Sequence, residues 1–83
     1  MSRFKVFVST CRDVDTLYKA REKCIALDSP NKWSDFSEIE ADNLEDAFQV
    51  FYKTDIFNEF IDNNSGEIFR YYLEDGAPVL YEQ

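Results

Sequence analysis

Residues 43 to 62 read NLEDAFQVFYKTDIFNEFID, and the fold turns on whether this run is one helix or two. At about 100° per residue, Leu44, Ala47, Phe48 and Phe51 gather on one side of the helical wheel, whereas Ile56, Phe57, Phe60 and Ile61 gather roughly opposite them. The acids reverse with the apolar residues: Glu45 and Asp46 oppose the first set, and Asp55, Glu59 and Asp62 oppose the second. A straight helix would have to bury two opposite sides. A break at Lys53-Thr54-Asp55, with Thr54 or Asp55 capping a second helix, turns both apolar sets into one core, and the sequence predicts that break. The other arrangement leaves Phe57 and Phe60 facing a partner or a second subunit.

Upstream of this run, SEIEAD alternates Ser37, Ile39 and Ala41 with Glu38, Glu40 and Asp42, the period of a short strand with one acidic face. Asp42 followed by Glu45 has capping-box spacing, so the helix is expected to start there. Further back, RFKVFVST places Phe4, Val6 and Val8 on one face of a first strand. Asp13 opens DVDTLYKAREKCIAL, whose Val14, Leu17, Tyr18, Cys24 and Ile25 share a helical stripe that Asp28-Ser29-Pro30 ends. Arg21 falls among those apolar positions, so it either snorkels or bridges to an acid of the second half. Downstream, Asn63-Asn64-Ser65-Gly66 is a turn. EIFRYYLEDGAPVLYEQ then reads as a hairpin, with Phe69, Tyr71 and Leu73 inward, a turn at Asp75-Gly76, then Val79 and Tyr81, and Pro78 suiting an edge. The expectation is an α+β class, one small domain over residues 1–83 in the order βαβαββ: an antiparallel or mixed sheet with two to three helices packed on one face.

Such a chain supports one modest core, which favours a flat or convex working surface over a deep cleft. Of its 83 residues, 45% are hydrophobic and 17% aromatic, well above the composition of a disordered segment. Its net charge of −8 is unevenly spread. Residues 1–32 hold seven bases against four acids, a balance of +3; residues 33–83 hold two bases, Lys53 and Arg70, against thirteen acids, a balance of −11. A negative field disfavours direct nucleic-acid binding and favours a basic partner. The sequence MSRFKVFVST lacks a long apolar leader and no run is long enough to span a bilayer, so the expected location is cytoplasmic, the host cytoplasm for a viral protein, with no membrane partner.

Catalysis finds little to work with. There is no histidine, no glycine-rich phosphate loop among only two glycines, and no nucleophile motif, so no catalytic residue, no cofactor and no enzymatic activity is expected. Cys11 and Cys24 stand thirteen apart without a CxxC or a histidine, too few ligands for zinc, and read as small core residues. DNNSGEI resembles a calcium loop, but counting from Asp62 puts Gly66 fifth instead of sixth and Leu73 where a bidentate glutamate belongs. No metal site is expected.

What remains is the acidic surface. Glu38, Glu40, Asp42, Glu45 and Asp46, with Asp55, Glu59 and Asp62 beyond, form a candidate partner-binding set. On a strand, alternate acids stand roughly 6.6 Å apart, the same order as the spacing of charges along a nucleic-acid backbone. A protein with a basic groove for phosphates would be attracted to such a band, less so as salt rises. The plain alternative is a solvated face, with Glu38 and Glu40 paired across the sheet to Lys5 or Arg70. Trp33, Phe36, Tyr52, Tyr72 and Tyr81 either anchor an interface or cap the ends of the core. In size and charge the chain resembles the small acidic proteins with which phages block host nucleic-acid-binding defences, restriction and CRISPR effectors among them. The resemblance is one of character, not of motif, and assigns no residue. The expected function is thus a nucleic-acid-mimic inhibitor, anti-CRISPR or anti-restriction in type. The alternative is a homodimeric scaffold component using Phe57 and Phe60 and the charge asymmetry.

Overall fold

The computed structural model describes residues 1–12, 19 and 36–82. Within them, strands β1 (Ser2–Ser9), β2 (Ser37–Ala41), β3 (Phe69–Glu74) and β4 (Ala77–Leu80) form one antiparallel sheet in the spatial order β2-β1-β3-β4. Helices α1 (Leu44–Phe51) and α2 (Asp55–Asn63) connect β2 to β3, giving an α+β fold. The helix expected from Asp13, and with it Arg21, Cys24 and Trp33, lies outside the described residues.

The reversing wheel of residues 43–62 resolves as two helices. Thr54 is the hinge: its hydroxyl donates to the Phe51 carbonyl at 2.6 Å, closing α1, and accepts from the Phe57 amide at 3.3 Å, opening α2. One side chain thus satisfies a carbonyl that ends one helix and an amide that begins the next. Ala47, Phe48 and Phe51 of α1 are buried, Phe60 of α2 is 6% exposed, and Phe57 lies half-buried with its ring 5.5 Å from Phe51 and 5.0 Å from Tyr52. Phe57 and Phe60 therefore turn into the chain's own core. This corrects the straight-helix arrangement that would leave both rings on an outer face.

At the start of α1 the cap is one residue later than the sequence spacing implied. Asn43, not Asp42, accepts from the Asp46 amide at 2.9 Å, and its own amide group donates to the Asp46 carboxylate at 3.3 Å. The reciprocal pair is Asn43 with Asp46, so Asp42 and Glu45 do not form the capping box.

Register fixes the two faces of the sheet, because residues directly opposite across a ladder share a face. Phe4 opposite Ile39, Val6 opposite Tyr72 and Val8 opposite Arg70 lie under the helices, as Tyr52 bonding to Arg70 and Phe48 stacking on Tyr81 show. Arg3, Lys5, Phe7, Glu38, Glu40 and Tyr71 lie on the reverse. The expected inward set Phe4, Val6 and Val8 does face the helices. Phe69, Tyr71 and Leu73 were expected on the same side as Val79 and Tyr81. They are instead on the reverse, where Tyr71 is fully buried, stacked on Phe7 at 5.4 Å and donating its hydroxyl to the Cys11 carbonyl. A two-residue turn pairs Glu74 with Ala77, which places Val79 beside Tyr72 and Leu80 beside Tyr71, so the two named sets cannot share a side. Asp75 and Gly76 take φ of 51° and 79°, the left-handed pair that such a turn requires. Pro78 sits on the edge strand β4 as expected.

Candidate protein-binding surface

The eight acids singled out by the sequence divide between two sides of the molecule. Glu38 and Glu40 project from β2 on the reverse of the sheet, each directly opposite a base of β1. Lys5 Nζ lies 3.5 Å from Glu38 and Arg3 Nη2 lies 3.1 Å from Glu40. All four side chains are at least half exposed, so the pairs add little stability, but the four charges alternate in sign and cancel among themselves. Arg70, the other base considered for them, is on the helix face and donates to the Tyr52 hydroxyl at 2.9 Å.

The remaining acids belong to the helical layer. Asp42 precedes the α1 cap, and Glu45 and Asp46 occupy the first turn, where the helix dipole favours negative charge. Asp55 stands likewise at the start of α2. Glu59 and Asp62 continue from it at intervals of four and three residues, one stripe on the side of α2 away from Phe57 and Phe60. At roughly 1.5 Å per residue the three carboxylates advance about 6 and 4.5 Å along the axis. All six helical-layer acids are exposed, and none makes an ion pair among the described residues.

Asp62 is the member with no local purpose. It lies in the last turn of α2, which carries no basic residue and where the C-terminal end of the helix dipole already presents partial negative charge, although Asn64 donates to the Phe60 carbonyl at 2.9 Å. Its carboxylate therefore opposes both the helix dipole and Glu59 three residues back.

Of the aromatics considered for an interface, the described ones, Phe36, Tyr52, Tyr72 and Tyr81, flank the core. Phe36 meets Phe7 edge-on at 4.3 Å, Tyr81 stacks on Phe48 at 4.3 Å, and Tyr52 lies against Phe48 and Phe57. Tyr72 is half-buried under the helices. Among the described residues no group of three or more cysteines or carboxylates is placed to hold a metal ion, Cys11 is a free thiol, and no helix is long and apolar enough to cross a membrane. Compared with protein-family models, with curated proteins and with solved structures, the chain matches none.

Proposed function

We propose that this is a small, acidic, non-enzymatic binding protein that occupies a basic, nucleic-acid-binding surface of a partner protein, an inhibitor of the kind that blocks nucleic-acid-handling machinery. The helical layer is the contact surface, with Asp55, Glu59 and Asp62 at its centre and Asp42, Glu45 and Asp46 at its margin. The observation that carries the reading is the α2 stripe: three exposed carboxylates in register, uncompensated among the described residues, the last placed against the helix dipole. A charge that lowers local stability is intelligible where a partner supplies the missing cation. Glu38 and Glu40, already matched by Lys5 and Arg3, contribute little to the acidic field.

Association is driven by electrostatic steering and by release of the ions that cover the partner's groove, so it weakens as salt rises. The test is capture from lysate on immobilised protein at low salt with elution at high salt. The eluate should contain nucleic-acid-binding proteins whose capture is competed by duplex or single-stranded nucleic acid. The Glu59→Lys, Asp62→Lys double variant should retain none of them. Undiminished capture by that variant, or capture indifferent to salt, overturns the proposal.

A further inference from the structure

At the end of the sheet where β1 and β4 finish and β3 begins, an open depression of about 540 Å³ has Glu67, Phe69 and Glu82 in its lining. Arg12 crosses it. Its guanidinium carbon lies 5.9 Å from the centroid of the Phe69 ring, and its Nη2 donates to Glu82 Oε1 at 3.3 Å. An aromatic face with a carboxylate at its rim is the environment that a planar guanidinium selects over an ammonium, because it can stack and donate at once.

Two features make Arg12 a displaceable occupant. The Arg12 and Glu82 side chains are 69% and 65% exposed, so their pairing is of the weak, solvent-screened kind. Glu67, in the same depression, has no ion pair among the described residues, which leaves a second carboxylate for a newcomer. Arg70 also lines the depression, but its guanidinium is already engaged by the Tyr52 hydroxyl on the helix side and not by Glu82 or Phe69. Successive strand residues alternate faces, and Phe69 pairs with Ser9 on the reverse.

We infer that this depression is a seat for an arginine side chain of a basic partner, filled in the free protein by the chain's own Arg12. The inference deepens the function proposed above and rests on it only for the origin of the arginine. It names the chemistry of one contact, arginine in preference to lysine, and sets Arg12 as a gate that the partner's side chain replaces.

The probe is acetyl-Gly-Arg-Gly-amide, with its lysine counterpart, titrated into the isotope-labelled full chain and followed by amide and aromatic shifts. Arg12→Ala should bind the arginine peptide on the order of fivefold tighter than the wild type, since the competing internal pair is gone. The shifts should centre on Phe69 and Glu82, and adding Glu82→Gln should remove the gain. Arg12→Gln, which keeps most of the stem, repeats the measurement if the alanine variant melts early. No gain on removing Arg12, equal binding of the lysine peptide, or shifts centred on Asp55 to Asp62 each overturn the inference. The two proposals fail separately: loss of the arginine seat leaves salt-dependent capture through α2 intact, and loss of that capture leaves this titration unchanged.

Discussion

Asp62→Lys should make the protein more stable and a poorer binder, and both signs come from one position. In the last turn of α2 the carboxylate stands at the negative end of the helix dipole, in a turn that holds no basic residue. A charge at a helix end contributes about 0.3–1 kcal/mol, so removing the unfavourable one and adding a favourable one together give about 1 kcal/mol. Glu59 followed by a lysine three residues on converts a repulsive pair into an attractive one, worth about 0.2–0.5 kcal/mol more. For a domain of this size, about 1 kcal/mol raises the melting temperature by roughly 4–8 °C. Thermal melts followed by circular dichroism at low ionic strength should show that rise. At about 1 M salt, where the screening length falls to about 3 Å, most of the gain should vanish. Capture of the basic partner should fall in the same variant. A lowered melting temperature, or a gain that survives high salt, would refute the electrostatic account of α2. A stabilised variant with undiminished capture would instead remove Asp62 from the binding surface.

Other substitutions test the remaining elements. Thr54→Ala removes the cap of α2 and the bond to the Phe51 carbonyl, and should cost about 0.5–2 kcal/mol in chemical denaturation; Thr54→Ser should recover most of it. Phe51→Ala, at a fully buried position, should cost about 3–5 kcal/mol, much of a typical total of about 5–15 kcal/mol, and leave the chain partly unfolded near room temperature by near-ultraviolet dichroism. Tyr71→Phe should cost about 1–3 kcal/mol by leaving the Cys11 carbonyl without its hydroxyl donor, measured as a shifted urea midpoint at unchanged slope. Glu38→Gln with Glu40→Gln should change capture of a basic partner far less than Glu59→Lys with Asp62→Lys, because the β2 acids already have Lys5 and Arg3 opposite them; equal losses would return the contact surface to the sheet.

The parts of the fold legible in the sequence are those written in local spacing. The reversal of the apolar stripe between Phe51 and Ile56, with Thr54 between them, specifies two helices because no single helix can bury both sides. Asp75-Gly76 specifies a two-residue hairpin because both positions need positive φ. Covering of both sheet faces was harder to see. Val6, Phe7 and Val8 form an unbroken apolar run in a central strand, the pattern of a strand buried on both sides, yet strict alternation from Phe4 suggests one buried face. The signal that separates the two is Phe7 itself, which alternation assigns to solvent and the structure buries completely.

The candidate site was legible in composition and not in geometry, for the same reason. A count of uncompensated acids treats the chain as a line, whereas compensation occurs across ladders whose register depends on residues far apart. Lys5 and Glu38 are thirty-three positions apart in the chain and directly opposite in space. The pairing neutralises the strand acids that looked most like a row of phosphates. The helix acids, whose neighbours at three and four positions can be read from the sequence, keep their charge. Local spacing was therefore the better guide to unpaired charge: within α2, Asp55, Glu59 and Asp62 have no base at those intervals, and the fold brings none to them among the described residues. An acidic surface built this way presents its field from one face of a short helix. Under the proposed function, a partner's cations would meet it along about 10 Å of axis, a length matched by a few consecutive phosphates and too short to imitate an extended duplex. The binding surface it suits is a narrow basic groove or a single-strand channel, and competition by a short single-stranded oligonucleotide should displace it more effectively than an equal charge concentration of duplex.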